Sequence, residues 1–197
     1  MDICNWLLND SVNNIKIFAS TPQNAEYNLL KYNTDEKNIF GALLSRVGGL
    51  CINATIRILG STNNDELRDI YQWNITYGSS SFIIIGDDIF GGIFAINLRL
   101  ESLRKGNICY YAPDTLKWED LNTSLTGYLN FLKKGNIKKF YENIPCDICT
   151  NININFNDVI SFYPPQWSKE LKYTKITHKV IPVDEYYKMN FGFNKIE

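Results

Sequence analysis

The chain predicts an α+β fold: a mainly antiparallel central sheet flanked by helices. Three observations lead there. Residues 81–121 alternate apolar, β-branched runs with turn signals at Asp87-Asp88, Gly91-Gly92 and Ala112-Pro113-Asp114, the pattern of consecutive strands. Apolar stripes with helical spacing recur elsewhere, as in Phe40, Leu43, Leu44 and Val47. At 45% hydrophobic and 14% aromatic residues over 197 positions, the chain has the material for one sizeable core. No linker or internal repeat divides it, so residues 1–197 are expected to form a single globular domain.

Taken in order, residues 2–9 place Ile3, Trp6 and Leu7 on one face of a short helix. Residues 14–18 alternate as a strand. Thr21-Pro22 combines a capping hydroxyl with proline at the first helical position. A further helix is expected to start at Thr34-Asp35-Glu36 and to stop at Gly48-Gly49. Strands follow at 50–52 and 55–59, then a polar loop or short helix over 63–72. Residues 81–85 are apolar on both faces and read as a central strand. Strands at 93–98 and 108–111 come next. Leu121, Leu125, Tyr128, Leu129 and Leu132 mark a helix ended by Gly135, and a second helix runs over 137–144. Residues 159–163 and 172–181 read as strands, and 184–188 as a last helix.

Charge narrows the function. Twenty basic against twenty-one acidic residues give a net charge of −1, without the basic excess that phosphate neutralisation requires, so no nucleic-acid partner is expected. Lys133-Lys134 and Lys138-Lys139 read as solvated helix faces; Lys169, Lys172, Lys175 and Lys179 read as a lysine-blunted edge strand. No run approaches the ~18 apolar residues of a membrane span, and the opening Met1-Asp2-Ile3-Cys4-Asn5-Trp6 lacks a secretory pattern. A cytoplasmic protein is expected, with no membrane partner. Its five scattered cysteines read as reduced thiols.

Few residues carry a chemical signal. Asp87-Asp88 supplies two carboxylates for a hard cation, but reads first as a turn cap beside Gly91-Gly92. Arg57 sits on a half-buried strand face and needs a carboxylate, for which Asp87 or Asp88 is the expected partner. Tyr110 to Trp118, with Asp114 in its turn, combines aromatic rings with a tight reversal and serves either packing or binding. Cys146-Asp147-Ile148-Cys149 lacks the further ligands of a zinc site. His178 has no neighbouring nucleophile, and Gly91-Gly92 lacks a phosphate-loop spacing. Arg57, Asp87, Asp88, Asp114 and Trp118 form the candidate binding or structural polar site; no catalytic residue, metal ligand or cofactor is assigned.

Arg57-Ile58-Leu59-Gly60-Ser61, Trp73-Asn74, Gly86 to Asn97 (GDDIFGGIFAIN), Tyr110 to Leu121 (YYAPDTLKWEDL), Phe140-Tyr141 and Tyr163-Pro164-Pro165 occur in an order and spacing that resembles an uncharacterised bacterial family, the domain of unknown function family 2625. The charged stretch between Asn97 and Asn107 departs from the glycine-rich loop expected of that family, and the Cys146–Cys149 region departs from its tryptophans. A more distant similarity of strand, turn and helix pattern is to the SUKH superfamily, which includes toxin-immunity proteins. That resemblance implies a non-enzymatic module that binds and masks a toxin; separately, the aromatic residues leave open a structural domain whose partner is its own copy. The alternative is a small-molecule or metal-dependent enzyme built on Arg57, Asp87, Asp88 and Asp114.

Overall fold

The computed structural model describes residues 2–101, 103–142, 144, 154–172 and 175–191. Seven strands run in chain order across one sheet, each antiparallel to the next: β1 (Ile15–Ala19), β2 (Val47–Ile52), β3 (Ile56–Leu59), β4 (Phe82–Asp88), β5 (Ile93–Asn97), β6 (Asn107–Ala112) and β7 (Lys117–Ser124). A second, two-stranded sheet pairs β8 (Asp158–Tyr163) with β9 (Thr177–Pro182). The expected α+β class with an antiparallel sheet is what the structure shows.

Helices α1 (Ile3–Leu8), α3 (Ile39–Arg46) and α5 (Leu125–Lys134) pack against one another. With the sheet they enclose Leu7, Leu44, Leu50, Ile52, Ile56, Ile58 and Tyr128, all buried. Helices α2 (Pro22–Lys31) and α4 (Ile70–Tyr77) lie against each other, and α4 borders β4. A single turn, α6 (Ile137–Phe140), and the last helix, α7 (Val183–Phe191), complete the set.

Local chemistry explains the boundaries, including those the sequence misplaced. Thr21 caps α2, with Pro22 at its first position, as expected. Helix α3 starts at Ile39, five residues after Thr34, because Asn38 rather than Thr34 caps it, accepting from Gly41 N at 2.9 Å. Gly48-Gly49 does not end that helix but lies inside β2, where a side chain at Gly48 would stand 2.8 Å from the Ala19 carbonyl of the bulged β1. Leu121 belongs to β7; Ser124 caps the helix that follows. Helix α4 begins at Ile70, near the end of the stretch expected as a polar loop or short helix, because Asp69 accepts from Tyr71 N and Gln72 N, both at 3.0 Å. Lys133 is also not solvated: it is buried, with its ammonium 5.0 Å from the Trp6 ring. The Cys146–Cys149 motif lies outside the described residues.

Candidate functional site

Arg57 and Asp87 face each other as a register pair between β3 and β4, and Ile56 faces Asp88 one residue on. Side chains alternate across a strand, so Asp87 projects to the Arg57 face while Asp88 projects to the opposite face. The two adjacent carboxylates therefore cannot chelate one ion. Each has its own set of donors.

On the first face, Arg57 Nε donates to Asp87 Oδ1 at 2.7 Å. Arg68 approaches the same carboxylate with two nitrogens, Nη1 to Oδ2 and Nη2 to Oδ1, the latter at 3.0 Å. The remaining donors reach backbone carbonyls: Arg57 Nη2 to Asp88 O at 2.9 Å, Arg57 Nη1 to Asp158 O, and Arg68 Nη2 to Phe156 O at 3.1 Å. The Arg68 guanidinium lies between the Trp73 and Phe156 rings, 4.8 and 5.4 Å from their centroids. The two arginines thus hold the segment leading into β8 against the large sheet. Arg57 and Asp87 are each 1% exposed. A hollow beside Phe156 and Asp158 reaches Arg57 from outside, yet all three of its nitrogens are bonded within the protein. Burial pushes the Asp87 carboxyl up, but the flanking guanidiniums outweigh it and hold the group below its usual range.

On the opposite face, Asp88 accepts four hydrogen bonds. Phe90 N and Gly92 N reach Oδ1 at 2.8 and 3.0 Å, and the hydroxyls of Tyr110 and Tyr141 reach Oδ2 at 2.8 and 3.0 Å. No cation accompanies it among the described residues, so burial dominates these donors and lifts its carboxyl above the usual range. The same burial, next to Asp88, pushes both phenols well up. The glycine pair explains how the rings fit. A side chain at Gly92 would stand 2.0 Å from the Tyr110 hydroxyl and one at Gly91 2.3 Å from that of Tyr186. Gly91 also takes a positive φ of 94°.

Neither of the other two candidate residues hydrogen-bonds into these clusters, although Asp114 lines a cleft with Tyr110 and Tyr141. Asp114 is exposed in the turn between β6 and β7. Trp118 is partly buried, its ring 4.7 Å from that of Phe82 and 5.3 Å from that of Tyr111. The residues the sequence reading missed are Arg68, Tyr110 as a carboxylate donor, and Tyr141. Arg68 lies in a stretch read as a polar loop or short helix; nearby Leu67 and Ile70 were the available signal that it turns inward.

The quoted motifs have structural roles in this frame. Trp73 stacks on Arg68, and Asn74 bonds both the N and O of Ile84, each at 2.8 Å, where β4 bulges. The family model described as "Protein of unknown function DUF2625" matches residues 1–186. The chain belongs to that family. It is 32% identical over 196 residues to the uncharacterized protein YbfG of Escherichia coli (strain K12), covering 96% of this chain and 88% of YbfG. An uncharacterized protein of Haemophilus influenzae is 27% identical over 146 residues, covering 71% of this chain and 64% of that protein. No described helix is long and apolar enough to cross a membrane.

Proposed function

We propose that this protein is a non-enzymatic protein-binding module acting in the cytoplasm, of the kind that SUKH-like immunity proteins exemplify, with a toxin-like protein as its partner. The observation that carries the reading is a surface one. Tyr163, Trp167 and Met189 are 71%, 50% and 65% exposed, and all three line one groove of about 270 Å³ between the β8–β9 sheet and α7. Large aromatic and methionine side chains gathered on one surface are the usual anchors of protein interfaces.

The enzyme alternative needs Arg57, Asp87, Asp88 and Asp114 in one accessible pocket. Three of them are buried in two separate hydrogen-bond sets on opposite faces of the sheet, and only Asp114 meets solvent. Those polar groups support the fold, which favours binding over catalysis.

The test is co-expression with the products of adjacent genes, followed by gel filtration and calorimetry. A stoichiometric complex is expected, weakened about thirtyfold or more by Tyr163→Ala with Trp167→Ala, as removal of ~2 kcal/mol anchors implies. Absence of any complex, or equal affinity of the double variant, overturns the reading.

A further inference from the structure

We propose that a cleft next to this groove seats a basic side chain of the partner, a lysine ammonium or arginine guanidinium; the inference rests on the binding reading above. The cleft, of about 380 Å³, shares Pro113, Phe162 and Gln166 with the groove, so one docked surface covers both.

Its walls are aromatic. Tyr110 meets Phe140 at 75° with centroids 5.3 Å apart, and Phe140 meets Tyr141 at 82° and 4.9 Å, so successive rings stand nearly square to one another. Ring faces attract cations, and of these three rings Phe140 is the one that is partly exposed.

Its polar groups are left as acceptors. The Tyr110 and Tyr141 hydroxyls each give their single hydrogen to buried Asp88, so neither offers a donor to the cleft. Gln166 Nε2 donates to Phe90 O at 2.7 Å, which leaves its Oε1. The carboxylates of Asp114 and Glu119 stand exposed at the mouth. Neither meets a lysine or arginine among the described residues, and none of the described lysines and arginines lines the cleft. An amide oxygen, two carboxylates and an aromatic lining together call for an occupant that is a donor and positively charged. Arginine and lysine side chains meet both conditions, and arginine is among the commonest interface anchors.

The test titrates the isolated protein with Nα-acetyl-arginine methylamide, Nα-acetyl-lysine methylamide and neutral Nα-acetyl-norleucine methylamide, following backbone amides 112–119 and 140–142 by NMR. Saturable shifts are expected with the two cationic probes and not with norleucine. Asp114→Asn with Glu119→Gln, both exposed and outside the core, is expected to weaken the cationic probes about tenfold. Equal shifts from all three probes, or no effect of the double variant, overturns the proposal. The same variant should weaken the co-expressed complex by a comparable factor. Probe binding without that loss overturns a partner side chain as the occupant. Absence of any complex instead overturns the binding reading, while the probe titration still decides whether the cleft takes a cation.

Discussion

Asp87→Asn preserves shape and removes the one charge that two buried guanidiniums share. Asp87 accepts from Arg57 Nε at 2.7 Å and from both terminal nitrogens of Arg68. An asparagine accepts through one oxygen only and turns an amino group toward donors. Breaking a buried pair by removing one partner costs about 3–5 kcal/mol because the survivor stays charged and dehydrated. Here two survivors remain, which places the expectation near about 5 kcal/mol. Total stability for a domain of this size is on the order of 10–15 kcal/mol, so the variant should still fold. Urea unfolding followed by tryptophan fluorescence is the assay, since Trp73 stacks on Arg68. With a slope of about 2 kcal/mol per molar urea, the midpoint should fall by roughly 2.5 M without a change in slope. A fall below about 0.5 M would refute the view that Asp87 balances both arginines. Replacing the trio by Arg57→Met, Arg68→Met and Asp87→Leu should restore only part of the loss. The carbonyls of Asp88, Phe156 and Asp158 would still lack the donors they now have.

Two further outcomes follow from the opposite face and from the contrast between the carboxylates. Gly92→Ala puts a methyl group 2.0 Å from the Tyr110 hydroxyl at a position without positive φ, so it should cost about 2–3 kcal/mol in thermal or urea unfolding through the clash and the disturbed hydrogen bond. Stability against pH should show two opposed contributions. The folded pKa of Asp87 is depressed, so its stabilisation is complete above the unfolded value near 3.8 and is lost as pH falls through the folded value. The folded pKa of Asp88 is raised, so its contribution declines as pH rises from that unfolded value to the folded one. Unfolding titrations should therefore lose the first slope in Asp87→Asn and the second in Asp88→Asn.

Local alternation and caps were readable from the sequence wherever one face of an element is uniformly apolar. Ile56 and Ile58 with Arg57 between them announced both a strand and a charge in need of a partner. What escaped was set by tertiary contact. Strand β7 alternates, but it is an edge strand with mostly polar outward residues, and Leu121 sits four residues before Leu125, so a helical period absorbed it. Gly48-Gly49 carries the usual helix-stop signal, yet close approach of the Ala19 carbonyl is what it serves. The adjacency of Asp87 and Asp88 suggested one shared site; strand pleating separates them, and no local pattern shows which face each will find occupied. Arg68 and Tyr141 reach their carboxylates from 19 and 53 residues away, distances over which periodicity carries no information.

The order of the strands also has a consequence for synthesis. Each strand of the large sheet pairs with its predecessor, so the sheet can grow as the chain leaves the ribosome, but the carbonyl that Arg57 holds belongs to Asp158, 101 residues later. At about 5–20 residues per second, Arg57 waits roughly 5–20 s for it. Once Asp87 follows, 30 residues after Arg57, it can neutralise both guanidiniums, yet the Phe156 and Asp158 carbonyls that complete their hydrogen bonding are still unmade. Ribosome-stalled chains ending before Phe156 should accordingly be more open to proteolysis around β3 and β4 than chains that extend beyond β8.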